Sequence, residues 1–235
     1  MDTHTPPLGR VAAIIVSAGG STRMAGVDKT LAPLAGIPLI ARTVEVFERS
    51  PFIGGIVLMV SQENVDPVAR LCRERGWKKV DHILAGGARR QDTVRLGLEA
   101  LSHQCEWVLV HDGARPLLSE QEIQHGLAVA QETGAAIAAV PAKDTVKVVD
   151  MHQMVERTLD RSRLVQVQTP QIFRRDLLER AHREITEDVT DDAAMLECLG
   201  IPVRVFPGAY ANIKVTTPED LAVAEALLAQ RRQAP

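Results

Sequence analysis

Tyrosine occurs once in this chain of 235 residues, and aromatic residues together make up only 3% of it. A surface that stacks bases on aromatic platforms is poorly supported by such a composition. No run of lysine and arginine interleaved with aromatics occurs either, and the formal net charge is only −3, so no basic footprint for nucleic acid is expected. Cysteine is equally scarce. Cys72, Cys105 and Cys198 are too few and too scattered for a disulfide framework or a zinc knuckle, which fits a reducing compartment, and all three are expected to pack. No apolar segment approaches membrane-spanning length, and Met1 to Arg10 carries Asp2 and two prolines where a leader would carry a basic region and an apolar run. The expectation is a soluble cytoplasmic protein, with no membrane and no nucleic acid among its partners. Internal repeats and low-complexity stretches are also lacking.

What is present is a chain that is 46% hydrophobic and 24% charged, enough to bury one sizeable core in a single domain over 1–235. Val11 to Val16 is continuously apolar, as in a parallel strand covered on both faces, and runs into the small-residue stretch Ser17 to Ser21. Strand and helix then alternate. Helices are expected at Pro38 to Arg49, Pro67 to Arg75 and from Gln91. A capping box at Ser119 to Glu122 opens another that runs toward Thr133. Between them stand strands at Ile56 to Val60, Val80 to Leu84, Trp107 to Val110 and Ala135 to Val140. From Ala142 to Gln168 the pattern changes to alternation at Val146, Val148, Val155, Val165 and Val167, read as a hairpin-like arm projecting from the sheet. Helical spacing returns at Arg174 to Glu187 and at Asp191 to Leu199, with Gly200 as a left-handed stop. A last strand follows at Val203 to Phe206, then a helix with Thr217 as cap and Pro218 as its first residue. This order predicts an α/β fold with a doubly wound, mostly parallel sheet, whose ligands sit beyond the carboxyl ends of the strands.

Four constellations fall at those ends or beside them. The loop Ser17 to Lys29 has small residues that let backbone N–H groups approach phosphate oxygens, with Arg23 and Lys29 as cations. It is neither a Walker A loop nor a Rossmann fingerprint, and a plain glycine turn is the alternative. His111-Asp112-Gly113-Ala114-Arg115-Pro116 places an aspartate where it can hold magnesium as a hard oxygen ligand, or simply form a turn. His111 reads as structural, since no second histidine stands near it to make a metal pair. The third set flanks the arm: Lys143, Asp144, Thr145 and Lys147 on one side, Arg161, Arg163, Thr169 and Gln171 on the other, where solvated charges would serve equally well. Lys214, alone among apolar neighbours, is either a site cation or an edge lysine.

The order of these pieces, with Gly86-Gly87, Arg90-Gln91-Asp92-Thr93-Val94, Asp144-Thr145-Val146-Lys147, Thr169-Pro170-Gln171 and Thr190-Asp191-Asp192, is similar to the 2-C-methyl-D-erythritol 4-phosphate cytidylyltransferase family from Val11 to Leu228. The resemblance implies a Rossmann-like nucleotidyltransferase fold with a β-arm, CTP and a polyol phosphate as substrates, Mg2+ as cofactor, and a homodimer that exchanges arms. It would place Ala18, Gly19, Gly87, Arg90, Thr93 and Gly113 around CTP, with Asp112 on the metal. Arg23 and Lys29 would stabilise charge on the α-phosphate. Arg115, Thr145, Thr169, Thr190 and Lys214 would hold the acceptor, with Arg161 reaching the neighbouring subunit's site. Arg23, Lys29, Arg161 and Lys214 are thus the expected catalytic cations.

Ser21 stands where the family usually has a glycine, and Asp28 where it has a proline, features closer to the loops of guanylyltransferases. The segments 111–116, 144–147 and 169–171 fit the cytidylyltransferases instead. A ribitol 5-phosphate cytidylyltransferase shares the same motifs, and a non-catalytic nucleotide-binding protein is the reading from a different class. Intact Arg23, Lys29, Asp112, Arg161 and Lys214 speak against the latter.

Overall fold

In the computed structural model, which describes residues 10–19 and 30–233, β1 (Val11–Ser17) lies inside a seven-stranded sheet. β2 (Pro33–Leu34) and β3 (Ile37–Pro38) form a short ribbon leading to α1 (Leu39–Arg49), which stops at Ser50, held extended by the proline that follows. Then come β4 (Gly55–Val60), α2 (Val65–Arg75), β5 (Val80–Ala85), α3 (Arg90–Glu99) and β6 (Trp107–Asp112). α4 (Glu120–Thr133) starts in the expected capping box, where Glu122 N–H donates to Ser119 Oγ at 3.2 Å and Ser119 N–H donates to Glu122 Oε2 at 3.0 Å. β7 (Ala135–Pro141), β8 (Lys147–Val149), β9 (Val155–Thr158) and β10 (Val165–Arg174) follow. The chain continues through α5 (Arg175–Glu184), α6 (Asp192–Cys198), β11 (Arg204–Pro207) and α7 (Pro218–Gln233).

Strand order in the large sheet is β11-β7-β10-β6-β1-β4-β5. All neighbouring pairs are parallel except the two made by β10, which runs antiparallel between β6 and β7. The unbroken apolar run of β1 is explained by burial on both faces. Ala13 and Ile15 join a cluster with Ile40, Val44 and Phe47 of α1 and Ile123 and Leu127 of α4. Ala12 and Ile14 join another with Val94 and Leu98 of α3, Leu178 of α5 and Leu196 of α6. Each fully buried side chain of this kind contributes roughly 1.5–3 kcal/mol, so the doubly wound arrangement follows from the sequence pattern. Gly200, at φ 69°, ends α6 in the left-handed conformation, as its position suggested.

Three expectations need correction. Val165 and Val167 are not part of a detached arm. They open β10, where Val165 to Val167 pair with β7, and after a register shift Gln171 to Phe173 pair with both β7 and β6. Period-two alternation marks a strand but does not name its partner, so the root of the arm and the strand that continues it into the sheet read alike. The freestanding part is the β8–β9 hairpin, with Lys147 opposite Thr158. The helix expected from Arg174 to Glu187 closes at Glu184, because residues 186–192 are drawn into contacts described below. Cys198 is exposed, so of the three cysteines only Cys105 is fully buried, with Cys72 partly so.

Candidate active site

The carboxyl ends of β1, β5 and β6 open onto two adjoining cavities. The first, about 290 Å³, is lined by Ala18, Gly19, Gly87, Arg90, Thr93 and Asp112. The second, about 320 Å³, is lined by Arg115, Gln168, Thr169, Gln171 and Thr190, and shares Arg90, Asp112 and Lys214 with the first. Glycine is required where the β1 and β5 loops meet: a Cβ on Gly86 would overlap Ala18 Cβ and come within 2.8 Å of Thr93 Oγ1. Thr93 spends its hydroxyl on this loop, accepting from Gly87 N–H and donating to Arg89 O, each at 3.1 Å. Gly113 lines neither cavity. Its N–H donates to Val16 O at 2.8 Å, and a Cβ there would come within 2.8 Å of Ser17 Cβ.

Asp112 is the centre of charge. Lys214 Nζ lies 3.0 Å and Arg115 Nε 3.3 Å from its Oδ2, while Arg90 Nε stands 4.0 Å from Oδ1. Burial alone would raise this carboxyl, but Lys214, Arg90 and Arg115 outweigh that and bring its pKa down to about 2, so it is ionised at neutral pH. Lys214 is no strand-edge lysine. It is carried to Asp112 because Val215 N–H donates to Ala114 O at 2.8 Å and Val215 is buried with Leu34, Leu117 and Ala224.

Behind Asp112 a chain of hydrogen bonds runs through His111, Thr169 and Asn212. His111 is buried, and burial lowers its pKa to about 4, so its imidazole is neutral. Its Nε2 lies 3.0 Å from Arg115 O, which can only accept, so Nε2 carries the proton and Nδ1 accepts from Thr169 Oγ1 at 3.1 Å. Thr169 Oγ1 in turn accepts from Asp112 N–H at 3.0 Å. The structural role anticipated for His111 is therefore specific: it orients Thr169 and, through it, the Asp112 backbone. Asn212, fully buried, donates to Thr169 O at 2.9 Å and accepts on its own backbone oxygen from Arg115 Nη1 at 2.7 Å.

The loops of the two cavities are fastened to each other. Arg89 Nη1 donates to Asp188 Oδ1 at 2.8 Å, Gln91 Nε2 to Glu187 O at 3.2 Å, and Arg90 Nη1 to Asp192 Oδ2 at 2.7 Å. Asp191 caps α6 by accepting from Ala194 N–H at 3.0 Å, and its other oxygen accepts from Gln171 Nε2 at 2.7 Å.

The structure thus gathers Ala18, Gly19, Gly87, Arg90, Thr93, Asp112, Arg115, Thr169, Thr190 and Lys214 around one double cavity. Thr145 and Arg161 line neither cavity; both are exposed on the arm, and Arg161 Nη1 donates to Lys143 O. Arg23, Lys29, Ser21 and Asp28 lie outside the described residues. Sequence reasoning missed Asn212, Asp192 and His182. Only Asp192 had a signal, inside the Thr190-Asp191-Asp192 run.

Among the described residues no group of three or more His, Cys, Asp or Glu side chains could enclose a metal. A magnesium ion needs no such cage when substrate phosphates and water complete its shell. Asp112 fits that role: it is ionised and stands at the junction of the two cavities, lining both.

A glycine-lined cavity beyond the carboxyl ends of a doubly wound sheet, joined through Asp112, Arg90 and Lys214 to a second polar cavity, has the form an α/β nucleotidyltransferase requires. Residues 11–230 match the model of the family IspD: 2-C-methyl-D-erythritol 4-phosphate cytidylyltransferase, and the chain belongs to that family. A 2-C-methyl-D-erythritol 4-phosphate cytidylyltransferase from Dehalococcoides mccartyi is 51% identical over 223 residues, covering 95% of this chain and 98% of the relative. The crystal structure of 4-diphosphocytidyl-2C-methyl-D-erythritol synthase from Anaerococcus prevotii superposes with a TM-score of 0.83 at 30% identity, covering 93% of this chain and 96% of that one. That of 2-C-methyl-D-erythritol 4-phosphate cytidylyltransferase from Thermus thermophilus gives a TM-score of 0.76 at 32% identity, covering 92% and 98%.

Proposed function

We propose that the chain transfers the cytidylyl group of CTP to 2-C-methyl-D-erythritol 4-phosphate and releases pyrophosphate. The observation that carries this reading is the Asp112–Lys214 pair, 3.0 Å apart, at the junction of the two cavities. The first cavity takes the nucleotide and the second the acceptor. An acceptor phosphate oxygen attacks the α-phosphorus in line, the new P–O bond forming as the bond to the bridging β-phosphate oxygen breaks. Such a displacement needs positioning and charge neutralisation more than a proton-transfer group. Lys214, Arg90 and Arg115 supply fixed positive charge around the junction. Arg23 and Lys29 are the cations this reading assigns to charge on the α-phosphate. Asp112 would hold Mg2+, and the ion, when bound, would neutralise charge on the nucleotide phosphates.

The same reading makes the protein a homodimer whose arms cross, placing Thr145 and Arg161 against the partner's acceptor cavity. It is supported by the exposed apolar side chains of the hairpin, Met151 at 89%, Met154 at 66% and Val155 at 60% exposure. The composition and the lack of a spanning helix among the described residues are consistent with a cytoplasmic location.

Pyrophosphate release tests the reading, with each of the four common nucleoside triphosphates offered against methylerythritol phosphate and against ribitol 5-phosphate. Release only with CTP and methylerythritol phosphate supports it. A preference for ribitol phosphate or for GTP overturns the assignment of acceptor or base.

A further inference from the structure

Arg90 lies between two carboxylates, and its placement decides what each cavity offers. Its Nη1 is bonded to Asp192 Oδ2 at 2.7 Å, whereas its Nε stops 4.0 Å short of Asp112 Oδ1. Asp192 is only 1% exposed and begins α6, so its carboxylate cannot turn to water. Its second oxygen meets His182 Nε2 at 3.2 Å. A carboxylate only accepts, so that nitrogen carries the hydrogen, and the buried charge is held by one donor from α5 and one from α3. A buried carboxylate that lost its guanidinium would be strongly destabilising, which makes the Arg90 contact obligatory for Asp192.

We propose that Asp192 is a positioning residue: it holds the Arg90 guanidinium in the wall shared by the two cavities and keeps it off the Asp112 carboxylate. The inference rests on the reading that the first cavity takes the nucleotide. Without the Asp192 charge, the nearest carboxylate left to Arg90 is Asp112, less than 1.5 Å beyond hydrogen-bonding range by the usual criteria. Arg90 then closes on Asp112 Oδ1. That movement withdraws one cation from the nucleotide phosphates and adds a close guanidinium to the Lys214 and Arg115 contacts of Asp112. His182 acts one step further back, by fixing the rotamer in which Asp192 faces Arg90.

The test is a double-mutant cycle on the full chain, comparing wild type, Asp192→Asn, Arg90→Ala and the pair, with the CTP dissociation constant read by calorimetry and kcat and KM by pyrophosphate release. Asp192→Asn is expected to weaken CTP binding about tenfold, a typical coupling for contacting charged groups. The double variant should bind no more weakly than Arg90→Ala alone. CTP affinity unchanged in Asp192→Asn, or losses that multiply in the double variant, would overturn the assignment, whatever happens to the melting temperature. Should Asp192→Asn fail to fold, or Arg90→Ala because it strands the Asp192 charge, His182→Ala decides when paired with Arg90→Gln, which can still donate to Asp192. CTP binding about threefold weaker with Arg90 present and unaffected with Arg90→Gln supports the link, and equal effects in both backgrounds refute it. Wild-type protein that binds no CTP is a different failure, since it removes the nucleotide reading of the cavity and this inference along with it.

Discussion

Lys214 Nζ lies 3.0 Å from Asp112 Oδ2, joining a residue just before the C-terminal helix to the end of a central strand about a hundred positions earlier in the chain. The pair is a site feature first and a stability feature second, because Lys214 is partly exposed, which screens its charge, and Asp112 keeps Arg115 Nε at 3.3 Å when Lys214 is removed. Its value lies in holding one charge of each sign where the two cavities meet.

Lys214→Met should therefore cost kcat far more than stability. A loss of roughly 10²–10³-fold in kcat is expected if its charge is best placed in the transition state, with the melting temperature little changed. Steady-state kinetics and a thermal melt on the same preparation check this. A variant that melts normally and turns over within threefold of wild type would remove Lys214 from the reaction.

Acid should destabilise the metal-free protein in two windows, and the sign of each follows from proton counting. His111 has a folded pKa of about 4 against an ordinary 6.5, so between those values the unfolded chain binds the extra proton and stability falls as pH falls. The shift corresponds to on the order of 3 kcal/mol, since the group is fully buried. Asp112, at about 2 against 3.8, contributes stability that is present above its unfolded value and disappears as pH drops through that second window. Denaturant melts in EDTA from pH 7 to 4 should show a slope in wild type that His111→Gln largely lacks. Equal slopes in the two proteins would mean that His111 is not held neutral.

Gly86→Ala tests the close approach of the two loops. The added methyl would meet Ala18 and come within 2.8 Å of Thr93 Oγ1, neither of which is a flexible tip. Overpacking of this kind costs about 1–3 kcal/mol, and the loop shift that relieves it should weaken CTP binding as well. A melting curve and a CTP titration that both match wild type would show that the loops are looser than the geometry indicates.

How much of this was legible beforehand depended on what kind of signal each feature leaves. The alternating strands and helices were readable because burial on both faces leaves continuous apolar runs such as Val11 to Val16, and because caps such as Ser119 with Glu122 are local. The insertion of β10 between β6 and β7 was not, since alternation at Val165 and Val167 is the same whether the partner is a hairpin mate or a core strand. Most residues lining the cavities were named through short motifs that fall at strand ends. The supports were missed because pairs such as Arg90–Asp192 and Asn212–Thr169 span 102 and 43 positions and no local pattern links them. His182 left no signal at all: a lone histidine on an amphipathic helix reads as surface until its partner is placed.

Crossing of the arms is best tested by complementation, because it predicts activity from two inactive chains. In one chain Arg161 is exposed and lines neither cavity, while the hairpin beyond it carries Met151 and Met154 in the open, so both features find a use if the arm lies on a second subunit. Arg161→Ala would then spoil the neighbour's acceptor cavity, and Lys29→Ala would spoil the α-phosphate site of its own chain. In a mixed dimer both lesions fall on the same site, leaving the other site with two sound contributions. Equimolar mixing, after exchange of subunits, should restore about a quarter of wild-type activity: half the dimers are mixed, and each has one working site, by the two-fold symmetry of such an assembly. Differently tagged chains purified as the mixed dimer should reach about half, by the same counting. No activity in that purified mixed dimer would mean that Arg161 serves the chain that carries it, and the exposed apolar hairpin would need another partner; an Arg161→Ala protein that is active alone would mean that Arg161 serves no site.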